Sequence, residues 1–61
     1  MLVRVLLAEC SDVMRPLIVR MLKDEPRIEL AGEAANFKQT MQMIEDFKPE
    51  VLLMDLHLPD R

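Results

Sequence analysis

The chain has 61 residues, a formal net charge of −3 and a hydrophobic content of 51%, which leaves room for one small domain at most, or part of one, and is too apolar for a disordered tail. Its single cysteine excludes an internal disulfide and a multi-cysteine zinc site, and the acidic balance argues against nucleic-acid binding by these residues themselves. No stretch approaches the roughly 18 apolar residues of a membrane span, and the apolar start is too short for a signal peptide and broken at Arg4, so a cytoplasmic protein is expected.

Residues 2–8, Leu-Val-Arg-Val-Leu-Leu-Ala, form an apolar, β-favouring run that ends in the polar cluster Glu9-Cys10-Ser11-Asp12. A buried strand followed by a helix start explains both. From Val13, apolar residues recur at 13, 14, 17, 18, 21 and 22, which is helical spacing. Ser11 or Asp12 suits the N-cap. Pro16 is tolerable only in the first turn, so the helix is expected to start between Asp12 and Arg15, and Pro26 places its end near Asp24.

Residues 28–34, Ile-Glu-Leu-Ala-Gly-Glu-Ala, begin with strand-like alternation. Asn36 with Gln39 three residues on is a variant of the capping box. Phe37, Met41, Ile44 and Phe47 or Lys48 continue at helical spacing until Pro49. Val51-Leu52-Leu53-Met54 is a continuous apolar run, the pattern of a strand covered on both faces, and Asp55 follows at once. The sequence therefore predicts β-α-β-α-β in the α/β class, with a parallel sheet and right-handed crossovers.

In such sheets ligands collect at the carboxyl ends of the strands, where the strand order reverses. If the second and third strands flank the first, in order 2-1-3, the polar residues meeting at that point are Glu9, Cys10 and Asp55. Gathered carboxylates repel, so the site calls for a cation or a shared proton. A hard Mg²⁺ with oxygen ligands is the natural candidate.

Val-Leu-Leu-Ala-Glu-Cys at 5–10, Gly-Glu-Ala at 32–34, Lys-Pro-Glu-Val at 48–51 and Leu-Met-Asp-Leu-His-Leu-Pro at 53–59 resemble the receiver domains of bacterial response regulators. The similarity runs over essentially the whole chain. It is closest to the branch that often precedes a helix-turn-helix output domain. The resemblance implies a flavodoxin-like, doubly wound parallel sheet, of which residues 1–61 would be the N-terminal half of a single receiver domain. It further implies that Asp55 accepts a phosphoryl group from a sensor histidine kinase. Glu9 matches the first member of the acidic pair that holds Mg²⁺, and His57 matches the position whose backbone carbonyl completes the metal site. Cys10 stands where the second acidic residue is expected, and a thiol is a poor partner for Mg²⁺. Asp12 is a possible substitute in the metal site.

Each sharp assignment has a plainer counterpart. A carboxylate after a buried strand is often only a cap or loop residue. Cys10 and Arg15 are separated by four residues, where a phosphatase-type loop has five, so a small half-buried thiol is favoured over a nucleophile. The six methionines are most simply core filler. Gly32 is the only glycine, which leaves neither a dinucleotide fingerprint nor a P-loop.

Three functions remain. The first is a receiver, not itself an enzyme, in which phosphorylated Asp55 switches an output or dimerisation surface, with transcription regulation in the full-length protein. The second is a pseudo-receiver, a protein-interaction module left unphosphorylated because of Cys10. The third, ranked lowest, is half of a flavodoxin-like small-molecule-binding enzyme. The expected partners are a sensor histidine kinase and, to cover an otherwise sticky third strand, a second copy or a C-terminal half. DNA would be met only through an output domain, and no membrane is involved.

Overall fold

The computed structural model describes all 61 residues. The elements run β1 (Val3–Ala8), α1 (Met14–Lys23), β2 (Ile28–Ala34), α2 (Phe37–Phe47) and β3 (Val51–Met54). The three strands form one parallel sheet in the order β2-β1-β3. This is the expected partial flavodoxin-like arrangement, with β1 at its centre. No helix is long and apolar enough to cross a membrane.

The helix ends follow local chemistry. Ser11 Oγ accepts from the backbone N–H groups of Val13 (3.2 Å) and Met14 (3.0 Å), so Ser11 is the residue that satisfies the α1 entry. Asp12 instead pairs with Arg15 at 2.6 Å. Pro16 falls in the first turn of α1, where its missing N–H costs nothing. At α2, Asn36 Oδ1 accepts from Gln39 N at 2.8 Å, a cap worth about 1 kcal/mol. Gln39 Oε1 reaches back to Ala35 N at 2.8 Å, one residue earlier than in the standard box.

The exit of α2 is held from outside. Lys48 adopts a left-handed conformation at φ 48°, unusual for a residue with a Cβ. Its N–H closes the helix on Ile44 O at 3.0 Å, and Pro49 disfavours any helical continuation. Arg4, on β1, donates through its guanidinium to the carbonyl oxygens of Phe47 and Lys48 and pairs with Glu29 of β2 at 3.1 Å. One side chain thus pins the end of α2 to the sheet.

Alternate residues of β1 face opposite ways. Leu6 points toward α2, where it approaches Gly32 and Phe47; a Cβ on Gly32 would lie 3.0 Å from the Phe47 ring and 3.2 Å from Leu6 Cδ1. Glycine thus lets helix and strand pack closely there, since a Cβ would push the Phe47 ring and Leu6 by a few tenths of an ångström. Leu7 points toward α1, lining a cleft with Ile18, Met21 and Leu53. With helices on both faces, Val5, Leu6, Leu7 and Ala8 are all buried, which accounts for the unbroken apolar run of β1. The β1–β2 ladder slips once between Val5 and Leu6, leaving Ala31 unpaired.

The same pattern in β3 has a different outcome. Val51, Leu52 and Leu53 are 45%, 38% and 44% exposed, so the expectation of a strand covered on both faces is not met. The reason is topological: β3 is an edge strand that packs only beside β1, while both helices lie over β1 and β2. The folded chain exposes 4422 Å², against about 4,100 Å² for a compact monomer of 7.1 kDa.

Beyond β3 the chain turns back to the sheet. Leu58 is buried with Ala8 and Ala34 in a small core flanked by Phe37, Met43 and Met54. Asp60 then receives the free N–H groups of Phe37 (2.6 Å) and Lys38 (3.0 Å) at the start of α2. Those two N–H bonds hold its carboxyl below the usual carboxylate range. A lowered native pKa stabilises the fold above the unfolded value and is lost as pH falls through the native one. Acid titration below pH 4 is therefore expected to loosen the segment from Leu56 to Arg61 in the wild type. Asp60→Asn should show that loosening already at neutral pH. Hydrogen exchange at Phe37 and Lys38 reads this directly, and equal protection in the two proteins would contradict it.

Candidate functional site

The site lies at the carboxyl end of the sheet, between β1 and β3. Asp55 N donates to Ala8 O (2.8 Å) and Glu9 N to Ala34 O (2.9 Å), so strand pairing carries on into the site and fixes both backbones. One oxygen of each carboxylate is then anchored by a backbone N–H. Glu9 Oε2 accepts from Ser11 N at 3.1 Å and Asp55 Oδ1 from His57 N at 2.9 Å. The remaining oxygens are left to the centre of the cluster. One ligand atom from each of Glu9, Cys10 and Asp55 lies within 4.8 Å of the others.

Cys10 sits between the two loops. Its Sγ is 3.5 Å from Asp55 Oδ2 and 3.9 Å from the His57 carbonyl oxygen, distances at which an S–H donates weakly to oxygen. Loss of hydration pushes the Cys10 thiol pKa up, and the hydrogen bond to Asp55 and the charges of Asp55 and Glu9 add to the rise. The Asp55 carboxyl moves the other way. The His57 N–H bond lowers its pKa most, with the Cys10 contact helping, against partial desolvation. At neutral pH the site thus presents an ionised Asp55 beside a protonated thiol.

The predicted residues Glu9, Cys10, Asp55 and the His57 carbonyl all converge. Asp12 does not join them: its carboxylate is tied to Arg15 and its side chain is 89% exposed. Arg15, weighed in the sequence only against a phosphatase-type loop with Cys10, has a bracing role instead. It donates to Glu9 O at 3.0 Å while holding Asp12, bracing the β1–α1 loop. Its position at the opening of a helix, six residues after Glu9, was the only sequence signal.

The donor set can be weighed against Mg²⁺. Glu9, Asp55 and the His57 carbonyl offer three hard oxygens on preorganised backbone, which fits a cation that keeps several waters. The Cys10 sulfur in their midst offers Mg²⁺ nothing.

No family model matches the chain, and no solved structure matches it. Among curated proteins, the chain is similar to three bacterial proteins each described as a protein-glutamate methylesterase/protein-glutamine glutaminase. The one from Alkalilimnicola ehrlichii is 38% identical over 60 residues, covering 98% of this chain and 15% of the relative. That from Anaeromyxobacter dehalogenans is 40% identical over 58 residues, 95% of this chain and 17% of the relative. That from Agrobacterium fabrum is 36% identical over 59 residues, 97% and 17%. The chain spans 15% to 17% of the length of these relatives. None of the three carries a name that refers to transcription, so the expected transcription output finds no support among them.

Proposed function

Because the chain belongs to the response-regulator receiver domains, we propose that Asp55 is its phosphoryl acceptor and that residues 1–61 are the first half of one receiver unit. The observation that carries this reading is the position of Asp55. It is an ionised carboxylate at the end of β3, one oxygen held by His57 N–H and the other at the strand-order reversal with only the weak donor Cys10 Sγ at 3.5 Å. An Asp55 oxygen attacks the phosphorus of a phosphohistidine; the P–N bond breaks with its electron pair left on the imidazole, and an acyl phosphate forms.

Positioning does most of the work in such a transfer. Strand pairing at Asp55 N sets the backbone, and the His57 N–H sets the carboxylate plane. Glu9, Asp55 and the His57 carbonyl would hold Mg²⁺, with water completing its shell. When bound, that ion offsets the charge on the phosphoryl oxygens. The partner that supplies the group is a sensor histidine kinase. The likeness to methylesterase/glutaminase proteins favours an effector-enzyme output for the full-length protein over a DNA-binding one.

Incubation of the full-length protein with an acyl phosphate and Mg²⁺ should add one phosphate-sized mass, and a folded sample that gains none overturns the reading. The Cys10 sulfur is the specific observation favouring the second reading, an interaction module that is never phosphorylated. Cys10→Asp separates the effects. It is expected to tighten Mg²⁺ roughly tenfold or more, about 1.4 kcal/mol per tenfold, measured by titration calorimetry. An unchanged affinity would show that Cys10 is not what weakens the metal site.

A further inference from the structure

Residues 56–61 follow β3 and carry His57 into the site, yet no backbone hydrogen bond joins them to the sheet or to a helix. Their one backbone bond, Arg61 N to Leu58 O at 3.2 Å, is internal, and Arg61 Nε closes the same turn on Leu56 O at 2.9 Å. Side chains therefore fix where this segment lies. Leu58 is buried against Ala8 and Ala34. The Asp60 carboxylate accepts from Phe37 N and Lys38 N at 2.6 and 3.0 Å. Apart from the His57 N–H on Asp55 itself, the only other polar contact with the rest of the chain is weak, from Cys10 Sγ to the His57 carbonyl oxygen at 3.9 Å.

Phe37 and Lys38 open α2, where backbone N–H groups have no partner within the helix. A carboxylate placed there gains from charge-assisted bonds and from the helix dipole. Asp60 is three residues from His57, with the anchored Leu58 between them. Both polar groups of the His57 backbone serve the site: the N–H orients Asp55 at 2.9 Å, and the carbonyl is one of the oxygens offered to Mg²⁺. A misplacement of about 1 Å in such a site can cost roughly a hundredfold in rate. We propose that Asp60 is a positioning residue for the site: docked on the first turn of α2, it holds residues 56–61 so that His57 presents its N–H to Asp55 and its carbonyl to the metal. The effect on phosphoryl acceptance rests on the receiver reading of Asp55, whereas the effect on His57 does not.

The full-length protein is compared with Asp60→Ala and with Asn36→Ala, which removes the 2.8 Å cap at the same helix end and leaves the bonds of residues 56–61 in place. Circular dichroism checks the folding of each. In Asp60→Ala without metal, amide exchange at His57 is expected to quicken by roughly threefold or more, and Mg²⁺ affinity to fall by a similar factor. Phosphate uptake should slow at low Mg²⁺ and recover at saturating Mg²⁺, because ligation then fixes the His57 carbonyl. Asn36→Ala should leave all three unchanged. A role exercised only through the stability of α2 would move both variants together; that result, or a folded Asp60→Ala that behaves as wild type, overturns the proposal. Unmodified protein gives a readout that needs no variant. Coupling is reciprocal, so Mg²⁺ should slow exchange at Phe37 and Lys38 by about twofold or more, and unchanged exchange in a metal-saturated sample also overturns it. A protein that shows the His57 effect but takes up neither Mg²⁺ nor phosphate keeps the positioning role and loses the receiver reading.

Discussion

Asp55→Asn is expected to abolish phosphate uptake completely while leaving the fold intact. The amide keeps the shape of the side chain, and its carbonyl oxygen can still accept from His57 N, the bond that orients Asp55 at 2.9 Å. What it removes is the nucleophilic carboxylate oxygen, without which no acyl phosphate can form. Glu9 is the only other carboxylate in the cluster, and its Oε2 is engaged by Ser11 N. Transfer to Glu9 is therefore not expected to replace the lost activity. Intact mass after exposure to an acyl phosphate and Mg²⁺ measures the effect, with circular dichroism and a melting curve on the same sample as the control for folding. A variant that gains phosphate as fast as the wild type would remove Asp55 from its assigned role.

Leu6→Ala is expected to remove a large share of the stability of the chain and to lower its urea midpoint strongly. Leu6 is fully buried on the central strand, against Gly32 and the Phe47 ring. Truncating such a leucine costs about 2.7–5 kcal/mol, the larger end where the cavity cannot collapse. A domain of this length has only about 3–9 kcal/mol of stability to lose. Collapse is hindered here because α2 is held at both ends, by the Asn36 and Asp60 caps at its start and by Arg4 at its exit. Urea denaturation followed by circular dichroism reads the result; a midpoint within error of the wild type would show that this packing contributes little. The exposed Leu56, which is 61% accessible, serves as the contrast, and its truncation should shift the midpoint hardly at all.

The order of elements was readable because each boundary had a chemical marker: Ser11 and Pro16 for α1, Asn36, Gln39 and Pro49 for α2. The convergence of Glu9, Cys10 and Asp55 was readable too, since it follows from strand order alone. Pattern could not tell whether β3 is covered. A run such as Val51–Met54 suits a central strand, and its exposure depends on what lies beside it rather than on its own residues. Long-range polar anchors were also invisible. Nothing in the sequence joins Asp60 to Phe37, or Arg4 to Phe47 and Lys48, because these contacts depend on how the loops return to the sheet. Asp12 was misplaced for a local reason: its carboxylate is taken by Arg15, a cation three residues on.

The central claim is that the phosphoryl group goes to Asp55 and nowhere else in this chain. After treatment with an acyl phosphate, borohydride reduces an aspartyl phosphate to a stable alcohol whose position can be found by peptide mass spectrometry. The account predicts that the reduced residue is at position 55 in the wild type and that no reduced residue appears in Asp55→Asn. A reduced residue at Glu9, Asp12 or Asp60, or none in a folded and metal-supplied sample, would contradict it.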